Sequence, residues 1–146
     1  GLVIIDYAHT PNALENVIDT INQIRTKNES LITIIGCGGN RDKKKRYEMG
    51  RIASQKSDKV IFTSDNPRNE RPNDIIDQMV EGVRPEDYHK ILNIEEREMA
   101  IKTSKHISNQ SDIILIAGKG HEAYQEINDS QIPFDDFLIA KKYFKN

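Results

Sequence analysis

The sequence predicts an α/β fold of three layers: a mostly parallel sheet covered on both faces by helices, with an antiparallel strand or hairpin near the C-terminus. Three observations carry that expectation. Short apolar runs of strand length alternate with segments whose apolar residues recur at helical spacing. The runs are apolar at consecutive positions, as in parallel strands buried on both sides. Near the C-terminus two short runs flank Asn128-Asp129-Ser130, a turn composition that reads as a β-hairpin.

The first run, Leu2 to Ile5, is a strand, and Asp6-Tyr7-Ala8-His9-Thr10-Pro11 is its exit loop. Thr10 as N-cap and Pro11 at the first helical position start a helix that buries Leu14, Val17, Ile18, Ile21 and Ile24. Leu31 to Ile35 is the second strand, leaving through Gly36-Cys37-Gly38-Gly39-Asn40-Arg41 into a basic segment and a helix to about Ser54. Val60 to Phe62 is the third, ending in Ser64-Asp65-Asn66-Pro67-Arg68, where Pro67 stiffens a turn carrying an acid, an amide and a guanidinium. Pro72 opens a helix burying Ile75, Ile76, Met79 and Val80. Lys90 to Ile94 is a weaker strand, followed by a charged helix over Glu95 to Ile107. Ile113 to Ala117 is a strand leaving through Gly118-Lys119-Gly120-His121-Glu122. Tyr124 to Ile127 and Gln131 to Phe134 form the hairpin, and Asp135 or Asp136 caps a last helix through Phe144.

At 146 residues the chain has the length of one domain and can bury a core without disulfides or metals. A net charge of -2 gives no general attraction to nucleic acid or to an anionic membrane. The single cysteine, Cys37, excludes an internal disulfide and a cysteine-rich metal site, which fits a cytoplasmic setting. No apolar run approaches the ~20 residues of a membrane span. Gly1 opens directly into a strand, so the chain reads as cut from something longer.

Parallel strands all exit on the same edge, where open α/β sheets bind ligands. Asp6 with His9, then Arg41, then Asp65, Asn66 and Arg68, then Lys119, His121 and Glu122 are therefore expected along one rim. Taken singly, Asp6 also reads as a cap of its own loop, His9 as a satisfied loop histidine, and Asp65 as the acid of an Asx turn. Lys43-Lys44-Lys45-Arg46 reads as a solvated helix start rather than a phosphate site, and Lys119 equally as an exposed structural lysine or a phosphate contact. Cys37 reads as a small core residue, His89 and His106 as surface residues. Two nucleotide motifs fail. Arg41 stands where the dinucleotide fingerprint needs its third glycine, and Gly118-Lys119-Gly120 lacks the P-loop frame.

The four exit motifs, in their order and approximate spacing, resemble the C-terminal domain of the Mur ligases, closest to the branch that adds meso-diaminopimelate. The resemblance covers essentially all of residues 1–146. Asn40 and Lys44 depart from common family residues without touching the expected contacts. It implies a Rossmann-like domain that delivers the amino acid, with the UDP-sugar domain and the central ATPase domain, which binds ATP and Mg²⁺, absent from this chain. It implies further that ATP phosphorylates the D-glutamyl carboxylate of UDP-N-acetylmuramoyl-L-alanyl-D-glutamate, and that an amine of meso-diaminopimelate attacks the acyl phosphate. By motif, Arg41, Asp65, Asn66, Arg68, Gly118 and Glu122 are expected to hold diaminopimelate. Asp6 is expected to reach the ATP ribose, with His9 assisting; no metal ligand and no certain catalytic residue is expected here.

The charges of these residues agree with that implication. The far end of diaminopimelate carries an ammonium and a carboxylate, against which the set offers two guanidiniums and two carboxylates. Lysine lacks the second carboxylate, and a site built to pair a polar group rejects the analogue lacking it by roughly 10⁴-fold. Alternatives from the same residues are the C-terminal domain of folylpolyglutamate synthetase or of another Mur ligase, or a non-catalytic module binding a small ligand. Without a P-loop, the chain alone is expected to be folded and inactive.

Overall fold

The continuous apolar runs become strands, and the strands assemble into one parallel sheet. A computed structural model gives the structure of residues 1–145. In chain order the elements are β1 (Leu2–Asp6), α1 (Pro11–Ile24), β2 (Leu31–Ile35), α2 (Lys44–Lys56), β3 (Lys59–Phe62), α3 (Pro72–Val80), a 3-10 turn (Pro85–Lys90), β4 (Ile91–Asn93), α4 (Arg97–Ile107), β5 (Ile113–Ala117), β6 (Tyr124–Ile127), β7 (Ser130–Pro133) and α5 (Asp136–Tyr143). The sheet order is β1-β5-β2-β3-β4, so β5 lies between the first two strands of the chain.

Alternate side chains of the sheet feed two cores. Leu31, Ile35, Val60, Phe62 and Leu115 pack against Leu14 and Ile18 of α1, Met49 and Ile52 of α2, and Ile76 and Met79 of α3. On the opposite face Ile32, Ile34, Ile61, Ile114 and Ile116 meet Ala100 and Ile101 of α4 and Ala140 of α5. Each fully buried aliphatic side chain of this kind contributes roughly 1.5–3 kcal/mol. The Thr10 side chain caps α1 by accepting from the Ala13 N–H at 3.2 Å, as the sequence predicts.

The antiparallel element is a separate two-stranded sheet, β6–β7, rather than a member of the main one. It attaches at the β3 exit: the Arg68 N–H donates to the Glu126 carbonyl at 2.8 Å, and the Asn128 N–H to the Arg68 carbonyl at 2.7 Å. A lone hairpin is marginal in water, and these bonds anchor it. Behind the same exits lies a buried ion pair. Arg97 grips Asp136 through Nε at 2.8 Å and Nη2 at 2.7 Å, and donates to the carbonyls of Ser64 and Ala117. The chain leaves β2 toward the α2 face and leaves β5 toward the α5 face, which opens a crevice between them at the carboxyl edge.

Candidate functional site

Four strand exits meet at that crevice and enclose a cavity of about 320 Å³. Tyr7, His9 and Thr10 line it from the β1 exit, Gly36 to Gly38 and Arg41 from β2, Asp65, Asn66 and Arg68 from β3, and Gly118 and Glu122 from β5. The glycines after β2 serve close packing rather than phosphate approach. Gly39 donates its N–H to the Asn66 carbonyl at 2.7 Å, and a Cβ there would lie 1.9 Å from the Pro67 carbonyl oxygen. Arg68 sits at φ 51°, a left-handed conformation unusual for a side-chain-bearing residue, and the two bonds to the hairpin hold it there.

The polar side chains are tightly interlinked. Lys119 is fully buried, so it is not the exposed structural lysine of one sequence reading. Its ammonium faces Asn66 Oδ1 at 3.0 Å, Glu122 Oε1 at 3.3 Å and Asp65 Oδ1 at 3.4 Å. Gln125 and Glu126 of β6 brace the lining residues of the β3 exit. The Gln125 amide donates to the Asp65 carbonyl at 2.9 Å, and the Glu126 N–H to Asn66 Oδ1 at 2.9 Å. Glu126 Oε2 accepts from Arg68 Nε at 2.6 Å, and Arg68 Nη1 donates to the Gly39 carbonyl at 3.0 Å. Among the described residues, Arg68 Nη2, Asp65 Oδ2 and Glu122 Oε2 make no hydrogen bond within the chain, and Arg41 has no carboxylate partner.

The basic run is not uniformly solvated as expected. Arg46 is buried, because its guanidinium bonds Glu70 at 2.7 and 3.0 Å, Gln78 at 2.8 Å and the Gly38 carbonyl at 2.9 Å. That guanidinium holds the Glu70 carboxyl down at about 2. Cys37 packs against the core beside the cavity; burial, with the Asp65 charge adding to it, pushes its thiol up to about 12. It is therefore a protonated thiol at neutral pH and no nucleophile.

Every residue expected to hold the amino acid lines this one cavity: Arg41, Asp65, Asn66, Arg68, Gly118 and Glu122. His9 is there as well, its Nδ1 3.0 Å from the Tyr7 carbonyl and its ring edge-on to Tyr7. Asp6 does not reach the lining; its Oδ1 accepts from the Ala8 N–H at 2.8 Å, the loop-cap arrangement. Glu126, Gln125 and the Arg97–Asp136 pair escaped sequence reasoning, since their partners lie 39 to 60 residues away and no local pattern marks them. Among the described residues there is no group of three or more His, Cys, Asp or Glu side chains that could hold a metal ion. No helix is long and apolar enough to cross a membrane.

The family model described as Mur ligase, glutamate ligase domain, matches residues 1–120. A curated protein of Cytophaga hutchinsonii, named UDP-N-acetylmuramoyl-L-alanyl-D-glutamate--2,6-diaminopimelate ligase, is 54% identical over 140 residues, covering 96% of this chain and 29% of that protein. A protein of the same name from Phocaeicola vulgatus is 48% identical over 143 residues, covering 98% of this chain and 30% of its own length. A solved structure of a ligase of that name superposes with a TM-score of 0.89 at 40% identity, over 97% of this chain and 28% of that one. The chain thus spans under a third of the length of these relatives. Its fold, its four exit motifs and these matches together place it in the Mur ligase family.

Proposed function

We propose that residues 1–146 form the amino-acid-delivering domain of an ATP-dependent ligase that joins meso-diaminopimelate to UDP-N-acetylmuramoyl-L-alanyl-D-glutamate, a cytoplasmic step of peptidoglycan precursor synthesis. One observation carries this reading. Once its internal ion pairs are set aside and the Asp42 and Lys45 charges are cancelled against each other, the cavity offers an unmatched guanidinium, Arg41, and one unmatched negative charge shared by Asp65 and Glu122. That is the complement of a zwitterion. Arg41 and Arg68 Nη2 face the distal carboxylate, while Asp65 Oδ2, Glu122 Oε2 and the Gly118 carbonyl receive the distal ammonium. Glutamate would leave the acidic side without its cation, and lysine would leave Arg41 without its anion.

Held by its far end, the substrate keeps its other amine free to attack an acyl phosphate made on the partner domains, expelling phosphate as the amide forms. The gain supplied here is proximity and exclusion of water. ATP and Mg²⁺ belong to the remaining part of the protein; this chain contributes the rim at Asp6 and His9, with Asp6 coupling nucleotide binding to domain closure. In the full-length protein, Asp6→Ala should raise the ATP KM and lower turnover, and steady-state kinetics unchanged in both would remove that role. The main test is ligation by the full-length protein with meso-diaminopimelate, lysine and glutamate in parallel. Diaminopimelate should be preferred by roughly 10⁴-fold. Arg68→Ala should cost on the order of 100-fold in KM for it and most of the preference over lysine. Equal use of lysine by the parent protein would defeat the assignment.

A further inference from the structure

We propose that Lys119 is a permanent counter-charge built beneath the amine-binding end of the cavity, a positioning residue that fixes Asp65, Asn66 and Glu122 and leaves them with one unmatched negative charge, so that one substrate ammonium completes the site. The inference rests on reading the cavity as a diaminopimelate site and assigns a role to a residue that does not itself line the cavity.

Its three acceptors, at 3.0, 3.3 and 3.4 Å, match the three protons of an ammonium. Those acceptor residues line the cavity, whereas Lys119 is fully buried under them. Asp65 and Glu122 each keep a second oxygen outside this cluster, so the lysine and a ligand amine can be bound together. Arg41 and Lys45 line the cavity itself, and the two guanidiniums nearest the cluster are already committed. Arg97 of α4 faces both carboxylates but is gripped by Asp136 of α5. Arg68 at the β3 exit is paired with Glu126 of β6. From β6 the Tyr124 ring lies 5.9 Å from the lysine nitrogen, and from the β2 exit the Cys37 thiol faces Asp65 in its neutral form.

Remove the lysine and the two carboxylates lose the one cation that bonds both of them. One then takes up a proton, which an incoming ammonium must displace. The test is calorimetric titration of meso-diaminopimelate into the full-length protein, in buffers of differing ionisation enthalpy, from pH 6.5 to 8.5. Lys119→Met should release about one more proton per bound ligand than the parent at pH 6.5 and bind roughly tenfold more weakly, recovering as the pH rises. Adding Glu122→Gln should abolish the extra proton. If Lys119→Met fails to fold, judged by circular dichroism, Lys119→Gln serves the same comparison. A parent-like proton count, unchanged affinity, or binding lost even at pH 8.5 would each overturn the proposal. Should the parent itself ignore diaminopimelate, the functional reading fails first and this one with it.

Discussion

A thiol beside a ligand cavity invites assignment as a nucleophile, and Cys37 shows why position alone does not make one. Burial disfavours its thiolate, the Asp65 charge disfavours it further, and the Arg46 guanidinium only partly opposes them, giving a value of about 12. Because the value is raised, the neutral form prevails throughout the physiological range. Iodoacetamide at pH 8 should leave Cys37 unmodified in the native protein and label it on unfolding, as read by mass spectrometry; rapid native labelling would contradict the assigned environment. Arg68 makes the complementary point for a cation. Its left-handed backbone costs on the order of 1 kcal/mol or more, which the bonds to Glu126 and Asn128 offset.

Elements matter here through what they hold still. The Arg97–Asp136 pair joins α4 to the start of α5, and Arg97 also grips the carbonyls of Ser64 and Ala117, each one residue ahead of a cavity residue. Arg97→Met would leave a fully buried carboxylate without its partner, so denaturant unfolding should show a loss of roughly 3–5 kcal/mol. Arg97→Met with Asp136→Leu should recover most of that stability. The elements themselves were legible in the sequence, because uninterrupted apolar runs such as Ile113 to Ala117 have few alternatives to a strand buried on both faces. The cavity residues were legible because parallel strands deliver their exits to one edge. What stayed hidden were contacts fixed by tertiary approach: nothing near Lys119 or Glu126 in the chain reveals that one lies under the floor and the other against Arg68. Arg46 was misjudged because a run of basic residues resembles a solvated face, and its acceptors Glu70 and Gln78 lie on the far side of β3 in sequence.

For the molecule as a whole, the proposed function leaves recognition to this cavity and activation of the carboxylate to the rest of the protein, in keeping with a sequence that has no P-loop. The 146-residue chain alone should therefore fold cooperatively yet produce no ADP from ATP in the presence of both substrates; turnover by it would refute the division of labour proposed above. The sheet order has a consequence for how such a molecule is made. β1 has β5 as its neighbour in the sheet, so the first of these strands to be made finds no hydrogen-bonding place until Ile113–Ala117 has followed it. Most of the domain must be synthesised before β1 can be locked in, and that nascent strand needs shielding from wrong partners meanwhile.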